Sequence, residues 1–293
     1  MPLHGVMVVD KPQGWTSHDV VARMRRVLGE KSIGHLGTLD PMATGVLPLV
    51  IGKMTRLAQF YQDSEKAYEG TIRFGFTTDT YDADGEPIDT VRQVQVTLEE
   101  LQPLARGFIG TQQQIPPPFS AKKIKGVPAY KLARKKQDVE LKPVEVEVRE
   151  FEITGGRGDH WAFRCRVSSG TYVRTLAHEL GQKLGCGAHL ASLRRTQVAE
   201  FAFADMHTVE EITEATESGS LCALLVHPRR VLPQIPSVTA DDETLGRIRH
   251  GRTINLAEFS GAKWVKVFAG QSDLVCLASR VAGSLFHPKV VLG

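Results

Sequence analysis

The sequence predicts a mixed α/β fold of the α+β kind with a small β-rich unit at its C-terminal end. Three observations carry that expectation. Stretches of β-branched and aromatic alternation crowd the middle of the chain, at Tyr68 to Phe76, Val144 to Ile153 and Trp161 to Val167. Apolar residues at helical spacing occur before and after them, without the regular strand–helix alternation of a parallel βαβ protein. Two prolines in Val231-Leu232-Pro233-Gln234-Ile235-Pro236-Ser237 then mark a linker, and Ala262 to Leu292 reads as short strands separated by Gly270, Gly283 and Pro288.

Taken in order, Val6 to Val9 is a short buried strand, and Asp10-Lys11-Pro12-Gln13-Gly14 is a turn. Thr16 or Ser17 caps a helix whose apolar face is Val20, Val21, Met24 and Leu28, and Thr16-x-x-Asp19 has capping-box spacing with Asp in place of Glu. Val46 to Ile51 is an apolar run suited to a buried strand or helix segment. Val173, Leu176, Ala177, Leu180 and Leu184 repeat at helical spacing, Gly185 stands where a C-cap glycine belongs, and Arg174 falls near the start of that helix. A terminal unit of roughly 55 residues is marginal alone, so it is expected to dock on the main domain.

At 293 residues the chain can bury a sizeable core, and its net charge of +3 is compatible with nucleic acid without requiring it. The four cysteines are dispersed, with no Cys-x-x-Cys and no Cys/His grouping at zinc spacing, which argues against a disulfide scaffold or structural metal. No apolar run approaches membrane-spanning length, and Met1 to Asp10 lacks the basic start and cleavage site of a leader; a cytoplasmic protein is expected. Between the strands, the segment from Gln114 to Lys136 holds seven basic residues and no acid, with Phe119 and Tyr130 interleaved. A solvated face and a basic arm for nucleic acid both fit it.

Chemistry concentrates in Gly34-His35-Leu36-Gly37-Thr38-Leu39-Asp40-Pro41-Met42-Ala43-Thr44-Gly45, one carboxylate in a bend with glycines and a proline. Pro41 fixes its own φ and pushes Asp40 out of helical conformation, so the loop is stiff. A surface turn in which Asp40 bonds its own backbone is the simplest reading. The adjoining apolar run ties this loop to the core and favours a functional one. Other motifs fail: Gly45 to Gly52-Lys53-Met54 has the wrong spacing for a P-loop, and Asp82-Ala83-Asp84-Gly85 lacks the glutamate of a calcium loop. Gly34-His35-Leu36-Gly37 matches the short loop of a KH RNA-binding module only in isolation. Any catalysis then rests on Asp40, which needs a cation to stay ionised in a mostly apolar pocket; Arg174 is the best candidate.

Six motifs occur in order: Asp10-Lys11-Pro12-x-Gly14-x-Thr16-Ser17; Gly34-His35-x-Gly37-x-Leu39-Asp40-Pro41-x-Ala43-Thr44-Gly45; Lys66-x-Tyr68; Thr78-Asp79-Thr80-x-Asp82-x-Asp84-Gly85; Ser120-Ala121-x-Lys123-x-x-Gly126; and Gly170-Thr171-Tyr172-Val173-Arg174-Thr175-Leu176. Together they closely resemble the bacterial tRNA pseudouridine-55 synthases, the TruB family of pseudouridine synthases. The resemblance implies a pseudouridine synthase fold, with a large central mixed sheet flanked by helices and loops over residues 1–232, including a basic RNA-gripping arm at about 112–140. It implies a small PUA-like β-barrel domain for RNA binding over residues 236–293.

The resemblance also implies roles. Asp40 would be the catalytic aspartate, paired with Arg174; Tyr68 would lie against a flipped uracil and help move a proton; Tyr172 and Leu193 would line the uracil pocket. His35 would occupy the space that the extruded uridine vacates. Lys11, Lys122, Lys123 and Lys125 are the expected RNA contacts, with Arg247 and Arg252 further candidates by charge. The implied substrate is uridine 55 in the T-arm of tRNA, handled by a monomer with no cofactor and no metal. Two rivals remain: a non-catalytic RNA-binding or tRNA-folding protein with a structural Asp40, and a metal-dependent RNA hydrolase built on Asp79, Asp82 and Asp84.

Overall fold

The computed structural model describes residues 3–119, 123–124, 127–128 and 142–293. Its elements run β1 (Gly5–Lys11), α1 (Ser17–Leu28), β2 (Ile33–His35), β3 (Thr44–Ile51), a 3-10 segment Gly52–Tyr61, β4 (Lys66–Phe74), α2 (Leu98–Arg106) and β5 (Gly110–Gln114). A short pair, β6 (Lys123–Ile124) and β7 (Val127–Pro128), precedes β8 (Val144–Arg157), β9 (His160–Val167), α3 (Val173–Leu184), β10 (Ala188–Val198), β11 (Phe201–Ala202), β12 (Met206–His207) and α4 (Val209–Glu217). The C-terminal unit adds β13 (Ser237–Thr239), α5 (Asp242–Arg249), β14 (Ile254–Asn255), β15 (Trp264–Ala269), β16 (Asp273–Ala282) and β17 (Leu285–Val291).

Among the described residues the main sheet has ten strands, in the order β12-β1-β3-β10-β4-β9-β8-β5, with β2 on β3 and β11 on β10. It is mixed: β1 with β12 and β3 with β10 are parallel, and the other pairs are antiparallel. The β3–β10 pairing matters most for function, because it sets the C-terminal side of the Asp40 loop beside Arg194 and Arg195. Gly45 permits it. Its φ is +100°, and a Cβ there would lie 2.3 Å from the Arg195 carbonyl oxygen, a distance no side chain tolerates.

Helices α2 and α3 bury Leu101, Ala105, Leu176 and Leu180 against Phe74, Phe151, Phe163 and Leu190 of the sheet. Helix α1 starts where the sequence indicated: Thr16 caps it with a reciprocal Asp19 box, and its Val20, Val21 and Met24 join Met7, Leu47, Leu49 and Ile212 of α4 in a second core. The run after the Asp40 loop is a strand rather than a helix segment, buried from Gly45 to Ile51. β10 and the helices α2 and α4 were not anticipated.

The second sheet has the order β13-β15-β16-β17-β14 and curls on itself, as a PUA-like unit does. It docks as its small size requires. Phe268, Leu274, Leu277, Val290 and Leu292 share one core with Val6, Val8, Val50, Val198 and Phe201 of the main sheet and with Leu57 of the 3-10 segment. The linker is clamped by a buried lysine, Lys266, which donates to the Val231 carbonyl at 2.7 Å and the Arg229 carbonyl at 3.2 Å.

Candidate active site

Asp40 projects from a loop whose backbone is held at nearly every step. Ser17 both accepts from Leu39 N–H (2.8 Å) and donates to its carbonyl (3.2 Å). The Pro41 carbonyl accepts from Gly14 N–H (2.8 Å) and from the Lys11 ammonium (3.2 Å). The Asp40 carbonyl closes the turn by accepting from Ala43 N–H at 3.1 Å. Gly37 sits at φ +125°, a conformation that favours glycine. A carboxylate on so fixed a backbone keeps its direction when a substrate arrives.

The Arg174 guanidinium meets that carboxylate with two atoms: Nε lies 2.9 Å from Oδ2, and Nη2 donates to Oδ1 at 3.1 Å. This side-on approach uses the planar fork that only arginine offers. Arg174 is 4% exposed, while the Asp40 side chain is 35% exposed, so the cation is buried behind an acid that faces the cavity. Nη1 also donates to the Thr80 carbonyl (3.0 Å) and Nη2 to the Phe119 carbonyl (3.0 Å). Asp82 completes the surround, its Oδ2 3.4 Å from Nη1. Burial pushes the Asp82 carboxyl above its ordinary value, against the opposing pull of Thr80 and Arg174.

A cavity of about 520 Å³ opens over Asp40, within the size range of small-ligand sites. His35, Tyr68, Tyr172 and Leu193 line it together with Asp40 and Arg174, so the structure brings the six residues expected around the uracil to one place. Tyr68 and Leu193 come from neighbouring antiparallel strands β4 and β10, where Tyr68 faces Arg195 and Leu193 faces Gly70. Burial pushes the Tyr68 hydroxyl above its usual value and keeps it protonated. Tyr172 caps the start of α3, and the side-chain amide of Gln114 holds its backbone from both sides. His35 accepts from Gly37 N–H at 3.3 Å, and burial lowers its pKa, favouring the neutral ring.

Lys11 is a correction. Expected as an RNA contact, it is fully buried, and its ammonium donates to the carbonyls of Pro12, Trp15 and Pro41. Its donors are directed inward and hold the base of the Asp40 loop. Lys122 and Lys125 lie outside the described residues, as does the side chain of Lys123. Asp79 and Asp82, which the hydrolase alternative would use as metal ligands, instead accept from Glu86 N–H and from Asp84 N–H and Thr80 within their own turn.

Three members of the site escaped the sequence reading: Asp82, Lys66 and Arg195. Asp82 stood in a quoted motif and Lys66 two residues before Tyr68, so both were within reach of residue spacing. Lys66 lines the cavity, and burial pulls its pKa down to about 8.

Comparison with known proteins agrees with this geometry. Residues 25–173 match the TruB family pseudouridylate synthase N-terminal domain, and residues 174–228 match the tRNA pseudouridylate synthase B C-terminal domain. A tRNA pseudouridine synthase B of Solibacter usitatus is 46% identical over 293 residues, covering 99% of this chain and 100% of that protein. That of Opitutus terrae is 52% identical over 210 residues, 72% of this chain and 87% of the relative. Among solved structures, an H/ACA RNP bound to a substrate RNA containing 2′-deoxyuridine shares the fold, with a TM-score of 0.73 at 23% identity, covering 99% of this chain and 85% of that one. The matched domains and the extensively matched relatives lead to one assignment: the chain belongs to the TruB family of pseudouridylate synthases.

Proposed function

We propose that the chain isomerises uridine 55 in the T-loop of tRNA to pseudouridine, with Asp40 acting at the target nucleotide. The reaction breaks the bond from the ribose C1′ to uracil N1 and forms one from C1′ to C5. The C5 hydrogen leaves as a proton, N1 gains one, and no atoms are lost overall. The observation that carries this reading is the Asp40–Arg174 pair at the floor of a cavity walled by Tyr68, Tyr172 and Leu193. A stacked base cannot reach such a floor, so the uridine flips out of the T-loop, at a cost of about a few kcal/mol that pocket contacts offset.

Within this reading Tyr68 lies on the uracil face, Tyr172 and Leu193 bound its edges, and His35 fills the space the base leaves. Residues 1–232 form the catalytic domain, with the basic arm of about 112–140 gripping the T-arm through Lys122, Lys123 and Lys125. Residues 236–293 form the PUA-like RNA-binding domain. The enzyme works as a cytoplasmic monomer without cofactor or metal. Among the described residues no helix is long and apolar enough to cross a membrane.

The test is incubation of unmodified tRNA with the protein in chelator, followed by mapping of pseudouridine at each position. Product at position 55 supports the reading. Tight binding without product points to a tRNA-folding protein, and shortened RNA to a hydrolase.

A further inference from the structure

Arg195 is fully buried, yet among the described residues no carboxylate forms an ion pair with it. Its neighbour Arg194 shows the contrast. Successive side chains of β10 point to opposite faces, and Arg194 reaches Asp10 with two contacts, Nη1 to Oδ1 at 3.1 Å and Nη2 to Oδ2 at 2.9 Å. Arg195 turns to the face it shares with Leu193 and the opposing Tyr68. There it donates from Nε to the Val46 carbonyl (2.8 Å), from Nη1 to the Thr38 carbonyl (3.2 Å) and from Nη2 to the Gly37 carbonyl (3.0 Å). The Tyr68 hydroxyl also lies within its hydrogen-bonding reach.

Burying a cation without an opposite charge is unfavourable, and holding a turn does not demand one, since neutral amides also bond carbonyls. The three carbonyls explain the choice of residue. Gly37 and Thr38 precede Asp40, Val46 follows it, and one planar fork spans all three. Ser17, Lys11 and Gly14 pin the loop at Leu39 and Pro41, on either side of the acid. Arg195 fixes the segment they leave, the cavity wall at Gly37 and Thr38. The same guanidinium also lies beside the hydroxyl of Tyr68, its cross-strand partner.

We infer that Arg195 is a positioning residue for uridine isomerisation, setting the Asp40 carboxylate and the Tyr68 hydroxyl relative to one another from beneath the site. This rests on the reading that Asp40 acts at the nucleotide. Arg195 touches no substrate, so its loss slows the chemical step and leaves tRNA binding alone.

The experiment compares wild type, Arg195→Lys, Arg195→Gln and Asp40→Asn by single-turnover pseudouridine formation, tRNA Kd and Tm. Lysine keeps the charge but cannot span three carbonyls. Arg195→Lys is expected to lower the single-turnover rate by about 10- to 100-fold, the scale of a small misplacement of reacting groups, with Kd and Tm near wild type. Arg195→Gln is expected to be slower still. An unchanged rate for Arg195→Lys, or a fall that lost folding or lost tRNA affinity fully accounts for, overturns the inference. Asp40→Asn separates the two claims. If it turns over normally, the reading of Asp40 fails and this inference with it; if it is inactive while both Arg195 variants match wild type, this inference alone fails.

Discussion

Asp40 and Arg174, 134 residues apart in the chain, meet through two nitrogen–oxygen contacts of 2.9 and 3.1 Å at the floor of the cavity. The acid belongs to a loop entering β3 and the cation to the first turn of α3, so the pair exists only in the folded protein. Replacing Arg174 by lysine keeps the charge but loses the two-atom contact and the fork that also holds Thr80 and Phe119. Arg174→Lys is expected to lower kcat by about 100-fold, with tRNA affinity retained. Single-turnover rates alongside equilibrium binding check this.

Tyr68 offers a ring and a hydroxyl that a single substitution separates. Tyr68→Phe keeps the ring proposed to lie on the base and removes the hydroxyl proposed to move a proton. The expected outcome is tRNA affinity close to wild type and a rate lower by about 100-fold or more, the usual range for a lost general acid–base group. Equal rates for the two proteins would reduce Tyr68 to a packing surface.

Lys66 makes the site pH-sensitive. Because burial lowers its pKa to about 8, the side chain is cationic below that pH and neutral above it. An approaching phosphate favours the cation, so tRNA binding near pH 8 is expected to take up protons and to weaken as pH rises further. Calorimetry in buffers of different ionisation heat measures the uptake, which Lys66→Gln should diminish. Affinity should also fall linearly with salt on logarithmic axes, with a slope of about −0.7 to −0.9 per phosphate contact.

The shared core between the two sheets has a thermodynamic signature. Phe268 of the C-terminal sheet is fully buried in it, and the Arg229 guanidinium lies over its ring at 4.4 Å. Phe268→Ala is expected to destabilise the protein by about 3–5 kcal/mol. Denaturant unfolding followed by fluorescence and by circular dichroism should show one coincident transition, shifted as a whole. Two separate transitions in the wild type would mean that the C-terminal unit folds independently.

Much of this architecture was legible before any coordinates. Short-range patterns reported themselves well: the Thr16–Asp19 box, the αL glycine Gly185 ending α3, and the strands β4, β8 and β9 lie within a few residues of the expected bounds. β10 did not, because its alternation is broken by register shifts between Leu190 and Ser192 and between Arg195 and Gln197, and two of its central residues are arginines. Helix α4 was missed although Thr208 and Glu211 form a capping box, and α2 carries Pro103 inside a helix otherwise marked by Thr97 and Glu100.

The site divided in the same way. Asp40 and its loop stood out from Gly and Pro placement alone, but its meeting with Arg174 depends on the β3–β10 and α3 packing, which no local pattern encodes. Lys11 was misjudged for the opposite reason. Lysine is almost always exposed, and only the tertiary structure reveals three carbonyls waiting for its ammonium.

The most direct test of the central claim follows from the chemistry at C5. Because the new glycosidic bond displaces the hydrogen there, tRNA transcribed with tritium at uridine C5 releases label only when the isomerisation is completed. Wild type should release one equivalent per target uridine, while Asp40→Asn, which keeps the size of the side chain but not its charge, should bind the same tRNA and release label slower by about 10³-fold or more. Release by Asp40→Asn at the wild-type rate would contradict the account.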